Sequence, residues 1–353
     1  MSTANCKMRV LLPLLCCLAA VRPARASGGD RDPAYRACAA QCARTTCGGA
    51  APGGNIPATI VAESPVAVPA AGHGEAALLR ALGWSCAEDC RYECMHAVTR
   101  ARVAHGARVL QYHGKWPFVR VAGLQELGSV TFSVLNAVPH LDYLFRRRAL
   151  YAPRLRARPV LRPVLLGYSC VALNTWLWSA VFHARDTWWT ERLDYHCATA
   201  LLCYSLFLCC VRVGGGRRAR EARVWGPLLA VCAFLARHVW YLNAVKFDYG
   251  YNMAVSAGLL ATQGVIWAVF GFAHRANAGR GPARRRYMWK NWATHALLFG
   301  AAALEILDFP PVAGYIDAHA LWHAATVPLG YLWYSFLADD AAFLARAERE
   351  KGT

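Results

Sequence analysis

Seven stretches of the chain are apolar over about the length of one membrane crossing: 120–143, 162–183, 195–211, 225–245, 252–273, 292–310 and 319–338. A crossing helix needs roughly 17–25 largely apolar residues. The pattern therefore predicts an all-α membrane protein, with a seven-transmembrane helical bundle over 119–338 and a cytoplasmic tail over 339–353. The first stretch is the least clean. Gln125, Glu126, Asn136 and His140 interrupt it, and its helix is expected to begin nearer Leu127. The fourth carries Arg237 and His238 inside it. Residues 27–118 are different: polar, with Gly and Pro gathered in 48–74, and they read as a cysteine-rich lumenal domain with a flexible insert. At the start, Lys7 and Arg9 precede an apolar run over 10–21, and Ala24-Arg25-Ala26 fits a small-x-small cleavage site. This predicts a signal peptide over 1–26. The run is too short for a crossing helix, and Pro13 and Pro23 bracket it.

Composition agrees with a membrane chain: 56% of the residues are hydrophobic and 17% charged. The formal charge of +18 raises nucleic acid as a partner, but the placement of the charge argues against it. Residues 146–162 hold seven Arg, 212–223 hold five, and 275–290 hold five Arg and one Lys. These stretches follow the first, third and fifth apolar segments. The connections after the second and fourth contain only Arg185, Arg192 and Lys246, and the one after the sixth has no Lys or Arg. Cytoplasmic loops carry the excess of Lys and Arg, so the basic connections are expected in the cytoplasm. The cysteine-rich domain is then lumenal, as a signal peptide independently requires.

Six cysteines fall in the lumenal domain: Cys38, Cys42 and Cys47, then Cys86, Cys90 and Cys94. An even number in an oxidising compartment predicts three disulfides. The spacing of the second group places its sulfurs along one helix face, consistent with a staple to the first group. The pairing stays open. Zinc binding by these thiols is the weaker reading.

The candidate chemistry lies at one depth of the expected bundle. Ser179 and His183 fall near the lumenal end of the second segment, Asp194 at the start of the third, and His319 and His323 in the first two turns of the seventh. Ionisable groups inside membrane helices are costly and point to function. Three imidazoles with an open position form a catalytic zinc arrangement. Asp194 is then a proton acceptor or water holder, and Ser179 a donor to a developing oxyanion, the two roles being interchangeable at this stage. A serine-nucleophile site of Ser179, His183 and Asp194 is the rival, and it leaves the His319/His323 pair unused. Asp317 is a candidate partner for a ligand histidine. Glu305 reads as an interhelical contact, and His238 as its possible partner or that of Asp308.

Several ordered runs resemble the PER-like family. They are Gly29-Asp30-Arg31-Asp32-Pro33-Ala34-Tyr35, the six cysteines, and Gln111-Tyr112-His113-Gly114-Lys115-Trp116-Pro117-Phe118. Phe182-His183-Ala184-Arg185-Asp186-Thr187, Lys246-Phe247-Asp248-Tyr249-Gly250-Tyr251-Asn252, Leu307-Asp308-Phe309-Pro310-Pro311 and Asp317-Ala318-His319-Ala320-Leu321-Trp322-His323 complete the match. The family is similar in turn to alkaline ceramidases and adiponectin-type receptors, a superfamily of membrane hydrolases. The resemblance implies zinc held by His183, His319 and His323, with Ser179 and Asp194 catalytic. It implies hydrolysis of the sn-2 acyl ester of the GPI phosphatidylinositol on GPI-anchored proteins. The implied partners are those proteins, their lipid anchor and membrane lipid. The implied location is the Golgi membrane for animal members and the endoplasmic reticulum for fungal ones. The alternatives are a ceramidase-like amidase and a factor that binds GPI-anchored proteins without cleaving them.

Overall fold

The computed structural model describes residues 27–47, 76–156, 159–214, 222–276 and 285–352. The expected signal peptide and the insert over 48–74 lie outside these residues. The described chain is all helical apart from turns and isolated bridges. Its helices are α1 (Pro33–Thr46), α2 (Ala76–Ala81), α3 (Cys86–Ala104), α4 (Leu127–Asp142), α5 (Arg148–Arg154), α6 (Leu161–Ala184), α7 (Trp188–Gly214), α8 (Ala222–Trp240), α9 (Tyr249–Ala276), α10 (Met288–Leu307) and α11 (Ala318–Gly352).

The expectation of seven crossing helices is not met. Among the described residues, four helical stretches are long and apolar enough to cross a membrane: Leu161–Ala184, Trp188–Gly214, Val224–Val245 and Tyr249–Ala273. These are the second to fifth of the seven apolar segments. The other three fall short for physical reasons. Helix α4 has 16 residues, about 24 Å at 1.5 Å per residue, against a hydrocarbon core of roughly 30 Å. Its length is cut by the Glu126 entry, and Asn136 and His140 are buried within it. Helix α10 carries Lys290 and Glu305 within its 20 residues, and α11 dilutes its apolar content with His319, His323 and later Asp339 and Asp340. Their polar groups face other helices. The molecule is thus a multi-pass membrane protein with four long apolar helices, against which α4, α10 and α11 pack. Within this bundle α6 lies between α4 and α7, α7 also meets α8 and α9, and α11 joins α4 to α10.

Before the bundle, α1 and α3 lie side by side, joined by Cys38–Cys94, Cys42–Cys90 and Cys47–Cys86. The nested order is that of an antiparallel pair: one chain climbs as the other descends, so the first cysteine meets the last. Asp32 caps α1 through the N–H groups of Ala34 and Tyr35, and Pro33 opens it. Ser85 and Glu88 form a reciprocal capping box on α3, satisfying donors that a helix start leaves unpaired. Two backbone hydrogen bonds, Gln125 N–H to Ala184 O and Glu126 N–H to His183 O, each 3.0 Å, hold the entry to α4 against the end of α6. Trp116 Nε1 donates to Asp308 at 2.8 Å, which ties the connecting segment to the end of α10.

Candidate metal centre

Two helix ends bring the three histidines together. His183 sits in the last turn of α6, and His319 and His323 occupy the first turns of α11, one turn apart and so on the same face. His319 Nε2 lies 3.3 Å from His183 Nε2 and 3.0 Å from His323 Nε2. One ligand atom from each ring falls within 4.8 Å of the other two. His183 and His323 are buried at 2% exposure each, whereas the His319 side chain keeps 32%. The trio therefore has one open side.

The carboxylates behind the rings fix their orientation. His183 Nδ1 is 2.7 Å from Glu126 Oε2, and His319 Nδ1 is 2.6 Å from Glu305 Oε2. A neutral imidazole that donates from Nδ1 has its lone pair on Nε2. In that state the Nε2 lone pairs of His183 and His319 face each other at 3.3 Å, and His323 Nε2 lies 3.0 Å from His319 Nε2, with the buried His323 Nδ1 left without a partner. Such an arrangement fits a cation, and a carboxylate behind a ligand histidine is the usual support of a metal-binding imidazole. Glu305 also accepts from Tyr249 Oη at 2.9 Å. The Lys115 ammonium pairs with Glu126 and lies 3.2 Å from Asp186. His323 is set from the other side: Asn136 Nδ2 and Thr326 Oγ1 both donate to its carbonyl at 2.8 Å, and Trp176 stacks edge-on at 5.6 Å between ring centroids.

A second group of possible ligands, Cys47, Cys86 and Cys90, has the same compactness. Its sulfurs are all in disulfides. A bridged sulfur is not a thiolate, the form that binds metal, so this group offers no site.

Ser179 lies one turn before His183 and is 3% exposed. Its hydroxyl is 3.1 Å from Ser133 Oγ, and Asp194 lies near it. Asp194, in the second turn of α7, also lies close enough to His183 and His319 to interact with their charge. All five residues singled out from the sequence are thus brought to one end of the bundle. Other expectations change. Asp317 does not bond a histidine; its carboxylate accepts from Ala320 N–H at 2.8 Å and caps α11. Glu305, read as a plain interhelical contact, holds His319. His238 contacts Thr199 and Asn252 instead of an acid. Glu126 was legible only as an interruption of an apolar segment. The useful signal was that its position, just before a helix, lets its side chain face another helix end.

Comparison with known proteins places the chain in a family. A zebrafish protein named GPI-specific phospholipase A2-like PGAP3 is 39% identical over 330 residues, covering 93% of this chain and 94% of the relative. The human protein of the same name is 36% identical, with 93% of each chain covered. The fission yeast protein PER1 homolog is 33% identical over 94% of this chain and 92% of its own. No solved structure matches. The profile of the Per1-like family matches residues 76–341, a stretch that holds the three histidines, both supporting carboxylates, Ser179 and Asp194. The chain belongs to the Per1-like family.

Proposed function

We propose that this protein is a zinc-dependent hydrolase of GPI-anchor lipid, cleaving the sn-2 acyl ester of the phosphatidylinositol on GPI-anchored proteins in the Golgi membrane. The observation that carries the reading is the convergence of His183, His319 and His323 with carboxylates behind two of the rings. The names of the zebrafish and human relatives suggest the substrate class. Those three histidines are the zinc ligands. A zinc ion held there supplies Lewis acidity at an ester carbonyl and acidifies water. Glu126 and Glu305 keep the imidazoles in the tautomer that presents Nε2. Asp194 accepts the proton from the attacking water. The Ser179 hydroxyl, 3.1 Å from Ser133 Oγ and near Asp194, donates to the developing oxyanion. The partly exposed side at His319 is where the ester enters.

The basic ends of α7 and α9 are the ends remote from the histidines, since His183 closes α6 and Asp194 opens α7. With the basic ends in the cytoplasm, the histidines and the disulfide-stapled segment are lumenal, on the side where GPI-anchored proteins reside. The rival serine-nucleophile reading is less favoured. It needs His183 to take a proton from Ser179, whereas the hydrogen bond of Ser179 runs to Ser133, and both His183 nitrogens have other neighbours.

The test uses the full chain in nanodiscs with a GPI lipid labelled in its sn-2 chain. Metal content and released fatty acid are measured together. His183→Ala, His319→Ala and His323→Ala each lower both, and Asp194→Ala abolishes release with a smaller loss of metal. Release that survives all four changes would overturn the reading.

A further inference from the structure

A cavity of about 310 Å³ opens between the disulfide-stapled segment and the mouth of the bundle. That is within the range of roughly 300–1,000 Å³ common for ligand sites. Its walls come from both sides: Arg91 from α3, and Lys115, Trp116, Arg185 and Trp188 from the bundle and its entry. We infer that this cavity binds the phosphodiester and adjoining sugar of the substrate's head, a phosphoinositol glycan, and so selects a glycosylated inositol lipid over an ordinary phospholipid. The inference rests on the hydrolase reading above and extends it to the part of the substrate that does not react.

The cations of the cavity separate into two kinds. Arg185 pairs with Glu88 at 2.8 Å, Arg120 pairs with Asp89 at 2.7 Å, and Lys115 is shared between Glu126 and Asp186. Their charges are already answered by the protein. Arg91 has no hydrogen bond or ion pair among the described residues, and it is part-buried against the cavity. An unpaired guanidinium in such a place is suited to a phosphate, which its planar donors can grip in two-point fashion. Its backbone is anchored, since Arg91 follows Cys90 of the Cys42–Cys90 bridge in α3. The aromatic rings fit the other part of the ligand. Trp116 is part-buried, with its ring N–H given to Asp308, and Trp188 is 54% exposed with the Arg192 guanidinium over one face at 3.9 Å; the Trp116 ring and the other face of Trp188 suit the C–H faces of inositol or a sugar.

The cavity is also connected to the metal centre. Lys115 lines it and pairs with Glu126, whose other oxygen holds His183. Trp188 opens the helix that carries Asp194. A head seated here therefore lies beside the site where an ester of the same lipid would react, and an acyl chain can remain in the bilayer.

The experiment measures binding apart from hydrolysis. The full chain in nanodiscs is titrated with a deacylated, water-soluble GPI head (glycan-inositol phosphate), and separately with glycerophosphocholine and with inorganic phosphate. The deacylated head binds well above both controls. Arg91→Ala weakens it roughly ten- to a hundredfold, the effect of losing one charged hydrogen-bonding partner, and Arg91→Lys recovers part of the loss. Zinc content of each variant, unchanged from the parent, excludes a folding failure. With GPI lipid as substrate, Arg91→Ala raises KM more than it lowers kcat. Equal binding of the head by the parent and Arg91→Ala overturns the inference, as does glycerophosphocholine or phosphate binding as tightly as the head. Arg91-dependent binding of the head by a protein that releases no fatty acid supports the cavity assignment and removes the hydrolase reading.

Discussion

At the scale of single residues, the site depends on side chains that touch no substrate. Glu126 and Glu305 hold His183 and His319 through Nδ1, and losing such a partner typically costs ~10- to 100-fold in metal affinity. The two are not equivalent. His319 is partly exposed, so water can replace Glu305, whereas Glu126 is 4% exposed and also answers Lys115. Glu126→Ala removes a buried anion from between two groups that need it. We expect both Glu126→Ala and Glu305→Ala to lose zinc to weaker chelators than the parent does, with Glu126→Ala the more affected. Dialysis against chelators of graded strength checks this, and identical retention in all three would show that the carboxylates do not support the ligands. Glu126 also illustrates what a linear reading misses. A charge at the edge of an apolar segment looks like a boundary, and its partner His183 is 57 residues away.

At the scale of an element, α3 joins two tasks. Its capping box anchors its start, and the same Glu88 reaches Arg185 at 2.8 Å beside the end of α6. Burial pushes the Glu88 carboxyl up, but the hydrogen bonds from Ser85 and the Arg185 guanidinium outweigh it and hold its pKa below the ordinary carboxylate value. The folded state thus favours the carboxylate more than the unfolded chain does. The resulting stabilisation is complete above the ordinary carboxylate pKa and is lost as pH falls through the lowered one. Ser85→Ala is expected to cost ~1 kcal/mol through the lost cap and to flatten the acid side of the stability profile. Thermal melts of the parent and variant between neutral and acid pH measure both effects; parallel profiles would mean that Glu88 gains nothing from its cap. The cysteines of this element were readable in advance because helical spacing puts them on one face. Their pairing was not, since it needed the direction of α1 relative to α3.

At the scale of the molecule, the histidine end is not the sole polar tie of the bundle. At the opposite end, Arg212 of α7 grips Asp340 of α11 through bonds of 2.5 and 2.6 Å, and Tyr287 donates to the same carboxylate at 2.6 Å. Arg212 and Asp340 are 5% and 3% exposed. Removing one partner of a buried pair strands the other charge, at a cost of ~3–5 kcal/mol. Arg212→Ala is therefore expected to lower the melting temperature of the detergent-solubilised protein markedly, and Arg212→Ala with Asp340→Ala to recover part of it. A double variant less stable than the sum of its single changes would contradict the stranded-charge account. The seven-span expectation failed at this scale. Segments such as α10 and α11 are apolar enough to stand out from loops, yet their polar groups are directed at one another. Periodicity measures how apolar a stretch is, not which neighbours its polar residues meet.

The helical class, the oxidised cysteines and the gathering of His183, His319, His323, Ser179 and Asp194 at one end of the bundle could all be read from the order of residues. Each rests on local information: apolar run length, helical spacing, or position near the end of a run. The number of long apolar helices, the disulfide order, the carboxylates behind the imidazoles and the cavity beside them required the folded chain. They arise from contacts between residues far apart along it, such as Glu126 with His183 and Arg185 with Glu88. Local pattern can bring a residue to the right depth and face; which partner it meets there depends on how the helices pack.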